Sequence, residues 1–270
     1  MRGARAAAFV LASCALGSCS LALDGFTDSG DAAPDATREA AIDVAVVDAP
    51  NDAADASAPD ADAAVDFCMG ATFCDQFERA DVQGQWESFF ASPDASGAIT
   101  SARARSGASA FRVALPAAGN SGAALRSQLA MSSRVTLTCF LFFDQVPDRD
   151  INVCETQYQY GARTNYVYFI VSQGTLQAVE LEFVSGTQTY FKSHADTPII
   201  TGRWTELVVD VDLANVRATW TYDGTPMATN TPLDRAFAPA QPLLTVGTSY
   251  STAGTAFVFD TDDVRIDLVP

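Results

Sequence analysis

Two glutamates one residue apart, Glu180 and Glu182, come nearest in this sequence to a reactive pair. They sit in Val179-Glu180-Leu181-Glu182-Phe183, whose alternation reads as a strand, so both carboxylates leave the same face. Strand geometry separates them by about 7 Å. Paired carboxylates at such a spacing can serve as general acid and general base in inverting glycoside hydrolysis. The same alternation directs Val179, Leu181 and Phe183 to a core and leaves Glu180 and Glu182 as solvent-facing acids, so no catalytic role is assigned to them. His194, the single histidine, lies in Lys192-Ser193-His194-Ala195-Asp196. A serine and an acid beside a histidine are the ingredients of a nucleophilic triad. No Gly-x-Ser-x-Gly elbow occurs, however, and the polar run reads as an exposed loop.

Binding chemistry is better represented. Tyr158, Tyr160, Tyr166 and Tyr168 fall at alternate positions on two successive strand-like runs. On a solvent-facing surface they would form a row of phenol rings able to stack on sugar C–H faces and bond to sugar hydroxyls. Gln157 and Gln159 occupy the opposite face of the first run and could serve instead, in which case the tyrosines line the core. Acids cluster near both ends of the globular part: Asp75 and Glu78 at the start, Asp260, Asp262 and Asp263 at the end. Brought together, Asp75, Glu78 and Asp263 offer oxygens of the kind a structural calcium ion takes, although no EF-hand spacing is present. Solvated turn acids are the plainer reading. No other cofactor is expected.

The six cysteines divide by position. Cys14 and Cys19 lie in the N-terminal apolar segment. Cys68, Cys74, Cys139 and Cys154 are an even number in a chain that leaves the cytoplasm, which makes disulfides the default. A zinc site is disfavoured by the absence of a Cys-x-x-Cys pair and by the single histidine. Taken as cross-strand partners, Cys139 and Cys154 fix a hairpin register in which paired positions sum to 293. Leu141 then faces Asn152, Leu137 faces Thr156, Val135 faces Tyr158, and the turn centres between Val146 and Pro147. Cys68 and Cys74 would close the start of the domain.

The elements that position these residues begin after a long preamble. Arg2 and Arg5 precede an apolar run over residues 6–16 that is too short to cross a bilayer as a helix. The run ends in Leu16-Gly17-Ser18-Cys19, which resembles a bacterial lipoprotein signal, where the cysteine thiol is lipidated and becomes the new N-terminus. Leu11-Ala12-Ser13-Cys14 fits the same pattern with a shorter apolar run, so Cys19 is the preferred site. An ordinary secretory signal is the other reading, and either exports the chain. Residues 1–18 are thus read as signal peptide and 19–66 as an Asp/Ala/Pro-rich linker, too poor in apolar side chains to fold and extended by like charges. Of the net charge of −17, about −11 lies in residues 24–66. A basic footprint for nucleic acid is missing. An acidic surface also disfavours anionic lipid heads, so membrane attachment is expected through the lipid on Cys19 alone.

From Phe67 to Pro270 the pattern is all-β. Val135 to Phe143, Tyr166 to Val171, Thr205 to Leu213, Val216 to Tyr222 and Val264 to Leu268 are rich in β-branched and aromatic residues. Gly161, Gly174, Gly186, Gly202, Asp223-Gly224 and Gly254 punctuate them. About a dozen short strands without a convincing amphipathic helix predict a two-sheet antiparallel sandwich or jelly roll. In the strand after Trp204, Leu207, Val209 and Val211 face inward and Asp210 and Asp212 outward; a one-residue slip would bury the acids.

Four stretches resemble the concanavalin A-like, laminin-G-like jelly rolls of exported lipoproteins in myxobacteria-like organisms. They are Phe73-Cys74-Asp75-Gln76-Phe77-Glu78 followed by Trp86; Ala104 to Val113; Gly202 to Asp210 with its hairpin through Asp223-Gly224; and Asp262 to Asp267. The resemblance implies two stacked antiparallel sheets and adjacent terminal strands that often hold calcium. It also implies a face that binds saccharides in some members, while others are enzymes. The Glu180/Glu182 strand is similar to the glutamate strand of laminarinase-type glycoside hydrolases. It departs from that pattern at Leu181, Val184 and Ser185, where acids are needed. The resulting expectation is a lipid-anchored, non-catalytic domain whose partner is a polysaccharide or cell-surface glycan. A glycoside hydrolase or polysaccharide lyase, and a surface adhesion module that binds protein, are the alternatives.

Mass spectrometry of the mature N-terminus is expected to find a lipid-modified Cys19. An unmodified N-terminus at another residue would refute the lipoprotein reading.

Overall fold

The computed structural model describes residues 67–235 and 237–270. Cys14, Cys19 and the 19–66 linker lie outside the described residues. Fifteen strands and no helix are found among those described. They are β1 (Phe73–Asp75), β2 (Ser88–Ala91), β3 (Ser96–Thr100), β4 (Ala110–Leu115), β5 (Ala123–Gln128), β6 (Arg134–Phe143), β7 (Ile151–Tyr160) and β8 (Arg163–Ser172). The chain continues through β9 (Thr175–Val184), β10 (Thr187–Pro198), β11 (Trp204–Asp212), β12 (Arg217–Tyr222), β13 (Thr225–Pro232), β14 (Pro242–Thr248) and β15 (Phe257–Val269). Two antiparallel sheets form a sandwich. One has the order β13-β12-β11-β6-β15-β4-β3, with β1 also paired to β15, and the other β10-β9-β8-β7-β14-β5-β2.

Turn chemistry drives the local connections. Gln173-Gly174, Ser185-Gly186 and Asp223-Gly224 each have positive φ at both residues, the signature of a type I′ hairpin turn. Two of these turns fold β8, β9 and β10 into a meander, and the third joins β12 to β13. Inward side chains of both sheets then share one core. Leu207, Val209 and Val211 of β11 are buried there, as their alternation requires. Facing them are Phe169 and Val171 of β8 and Leu244 and Val246 of β14, while the fully buried Trp220 of β12 lies beside Val209 in the same sheet. Trp220 donates its indole N–H to the carbonyl of Tyr168 at 3.2 Å, joining the two layers.

Both disulfides are present, Cys68–Cys74 and Cys139–Cys154, with Cα–Cα distances of 5.4 and 6.7 Å. The hairpin expected around the second one is not. β6 pairs with β11 and β15, whereas β7 pairs with β8 and β14, so the chain changes sheets between Phe143 and Ile151. Cys139–Cys154 therefore links one sheet to the other through the core. Cys154 reaches it from a β-bulge: Val153 opposes Phe169 and Thr156 opposes Val167, which leaves Cys154 and Glu155 together opposite Tyr168. Cys154 takes φ 49°, a left-handed conformation that the bulge imposes. A second bulge on β15 sets Asp263 and Val264 together opposite Cys139.

Replacing Cys139 and Cys154 together by alanine opens a 15-residue loop, a loss of about 3 kcal/mol in the chain-entropy picture. For a domain of this size the expected fall in Tm is roughly 6–12 °C, read by calorimetry. An unchanged Tm would show that the inter-sheet link does not constrain the unfolded chain.

Candidate functional site

The bulge in β7 decides what the outer face of the seven-stranded sheet presents. Before it, Ile151 and Val153 point into the core; after it, Thr156 and Tyr158 do. Gln157 and Gln159 are thereby turned outward, beside Tyr166 and Thr164 of β8. The expected tyrosine row is split. Tyr158 is buried in the core, edge-on to Phe237 with ring centroids 5.6 Å apart. Tyr166 and Tyr168 lie on the outer face, and half-buried Tyr160 sits at the end of β7.

A cleft of about 450 Å³ opens at this end of the face, lined by Gln157, Gln159, Tyr160, Gln128, Met131 and Leu243 among others. Gln128 donates its amide to the Gln241 carbonyl at 2.7 Å. The side-chain amides of Gln157 and Gln159 have no hydrogen-bond partner among the described residues. The cleft thus combines free neutral donors and acceptors with a phenol and two apolar side chains.

One position further along the strands lie Arg126 of β5, Thr245 of β14 and Glu155 of β7, in register across three neighbouring strands. Arg126 and Glu155 carry no signal in the sequence itself, because their alignment depends on the bulge. Glu155 is buried and accepts the Ser249 N–H at 3.3 Å; burial pushes its carboxyl pKa up. Burial and the nearby Glu155 raise the Tyr166 phenol to about 12, with Arg126 acting in the opposite sense. Tyr168 is raised further, again chiefly by burial. Both phenols therefore remain protonated hydroxyl groups at neutral pH. Beyond Tyr166 the face becomes apolar, with Tyr168, Val179 and Leu181 packed together and Tyr166, Ile170 and Phe183 against them.

That apolar half corrects the expected phase of β9. Val179, Leu181 and Phe183 face outward, while Glu180 and Glu182 point between the sheets and are 0% and 3% exposed. Glu180 accepts the backbone N–H groups of Asp234 and Arg235 at 3.0 and 2.8 Å. It also pairs with His194 Nε2 at 3.1 Å. The His194 side chain is buried rather than looped into solvent, and its ring stacks on Trp220 at 5.1 Å. Glu182 accepts from Arg163 at 3.0 Å and from the Thr189 hydroxyl at 2.8 Å. Neither carboxylate reaches a solvent-filled space where a substrate could meet it.

The acids expected to gather around calcium are each engaged by protein donors. β1 does lie against β15. Asp75 accepts the Phe77 N–H at 2.8 Å and the Trp86 indole N–H at 2.6 Å, and it pairs with Arg79. Glu78 caps the Ala108 and Ser109 N–H groups at 2.8 and 2.9 Å. Asp263 accepts from Ser106 Oγ at 2.7 Å and Gln76 Nε2 at 3.1 Å and pairs with Arg105. No group of three or more His, Cys, Asp or Glu among the described residues is arranged to hold a metal ion. Desolvation beside Asp263 instead lifts the Asp262 carboxyl to about 7.

Residues 117–267 match the family model described as the concanavalin A-like lectin/glucanases superfamily. The chain belongs to this superfamily. Comparison with curated protein sequences finds no match. Among solved structures, this superfamily member is similar to a cellulose-induced protein, Cip1, at 12% identity and a TM-score of 0.53, covering 72% of this chain and 96% of that one. It is also similar to an endo-β-1,4-glucuronan lyase from the fungus Trichoderma reesei, at 11% identity and a TM-score of 0.52, covering 74% and 96%. A third likeness is to domain 4 of the extracellular arabinanase AbnA from Geobacillus stearothermophilus, solved with arabinotriose, at 16% identity and a TM-score of 0.50, covering 74% and 92%. At these identities the likeness is one of fold.

Glu180→Ala removes the acceptor for two backbone N–H groups and the partner of a buried histidine. It is expected to lower stability by about 3 kcal/mol or more, measured as the shift of the urea midpoint. A midpoint within error of the wild type would return Glu180 to a solvent-facing role.

Proposed function

We propose that this domain is an exported, non-catalytic saccharide-binding module whose ligand lies on the outer face of the seven-stranded sheet. The observation that carries the reading is the pair of unpartnered amides, Gln157 and Gln159, side by side in a cleft that also offers Tyr160 and apolar Leu243. Neutral sugars present hydroxyls and C–H faces in alternation, and an amide pair beside an aromatic ring meets both. Of the expected tyrosines, Tyr160 and Tyr166 are the ones placed to contact such a ligand, and Tyr158 is withdrawn from that role. The family and its fold are compatible with this use without requiring it. Two disulfides suit an oxidising compartment, and the N-terminal sequence ending in Cys19 supports retention at a membrane through a lipid.

A glycan array followed by calorimetric titration of the best neutral oligosaccharide tests the site. Gln157→Ala with Gln159→Ala is expected to weaken binding about tenfold or more, since each lost hydrogen bond is worth roughly 0.5–1.5 kcal/mol. Both side chains are solvent-accessible, so Tm should not change. Unaltered affinity in the double variant would place the ligand elsewhere.

A further inference from the structure

Arg126 is the one arginine among the described residues that has neither an ion pair nor a hydrogen bond. From Phe67 onward, Asp and Glu number 21 against 13 Lys and Arg, so carboxylates are in excess. Nine of the twelve arginines in that span pair with one of them, Arg103 with Asp144, Arg112 with Asp260 and Arg134 with Asp210 being examples. Arg149 and Arg217 donate to the carbonyls of Thr255 and Asn230. Arg126 has its Nε buried without a partner, and its guanidinium lies 5.1 Å from the centroid of the Phe90 ring. Glu155 stands two strands away across Thr245, and Glu87, on the neighbouring chain segment, spends its carboxylate on the Gln128 N–H at 2.9 Å; neither forms an ion pair with Arg126. Burial also disfavours the charged form of Glu155.

The surroundings suit a ligand rather than a missing protein partner. Arg126 lies two residues before Gln128 on the same face of β5, so it sits about 7 Å along the strand from the cleft lining. Its field reaches the Tyr166 hydroxyl, which neighbours Gln157 across the β7–β8 ladder. A guanidinium presents a rigid planar fork that matches a carboxylate with two parallel N–H···O bonds, and it is weakly hydrated enough to act in a half-buried position.

We infer, on the basis of the saccharide reading above, that the bound glycan carries a carboxylate, a uronic acid residue, received by Arg126 with Gln157 and Tyr166 placed to hold the adjoining hydroxyls. The neutral amides of the cleft then take the next sugar along.

The test titrates the purified chain with hexamers of galacturonate, glucuronate and mannuronate, each beside its methyl ester. At least one acid is expected to bind about tenfold more tightly than its own ester, a preference that shrinks as salt is raised. Arg126→Gln should abolish that preference, and Arg126→Lys should keep part of it, with Tm following folding in both. An acid bound no better than its ester by the wild type overturns the inference without any variant. So does a preference that survives Arg126→Gln, or tighter binding of a sulfated hexamer of equal length. Ester or neutral binding that still depends on Gln157, with no preference for the acid, overturns the uronate inference and leaves the saccharide reading standing. Binding to none of these glycans overturns both.

Discussion

One extra residue in β7 sets the identity of the exposed face. Strand side chains alternate strictly, so whatever lies C-terminal to an insertion changes sides. The bulge at Cys154 and Glu155 lets two consecutive residues serve both layers: the cysteine reaches inward to Cys139, while the glutamate joins the outer row with Thr245 and Arg126. Beyond it, tyrosine goes in at 158 and glutamine comes out at 157 and 159. A polar, hydrogen-bonding surface stands where an unbulged strand would present an aromatic one.

The architecture was legible where one face of a strand is wet. β11 alternates cleanly, and its core positions Leu207, Val209 and Val211 are those its sequence implies. Glycine and Asp-Gly turns marked the hairpins correctly because positive φ is demanded there locally. β9 was misread for the opposite reason. Both of its faces are buried, and Glu180 is held by N–H groups 54 and 55 residues further on, which no local pattern reveals. The cysteine pairing was legible although its geometry was not. Proximity of Cys139 and Cys154 is satisfied equally by a hairpin and by two facing sheets, and only the sheet partners of β6 and β7 distinguish them. The candidate site itself was half visible. Gln157 and Gln159 were recognisable as polar neighbours, whereas Arg126 gains meaning only from what it lacks.

The distribution of charge follows one rule. Acids that point inward or sit at strand ends are matched with arginines or backbone N–H groups, as with Asp75, Glu182 and Asp263. Burying a carboxylate without such donors would cost several kcal/mol. These pairs brace β1 and β15 of the eight-stranded sheet and the inward side of β9. On the outer face of the seven-stranded sheet, by contrast, the amides of Gln157 and Gln159 and the guanidinium of Arg126 are left to meet solvent or ligand. The domain is in this sense polar in two registers, one closed on itself and one open.

The two disulfides also form a mechanical route. Tension arriving at Phe67 passes directly from Cys68 to Cys74, so residues 69–73 carry little of it. From β1 it spreads into β15, which flanks β6 along most of its length, and from Cys139 it crosses covalently to Cys154 on β7, the strand that also carries Gln157. A pull applied at Phe67 and a pull applied to the outer face of the seven-stranded sheet would thus be joined through two sulfur bridges, one closing the entry to β1 and one tying sheet to sheet, so that load crosses between the layers through a covalent bond as well as through packing.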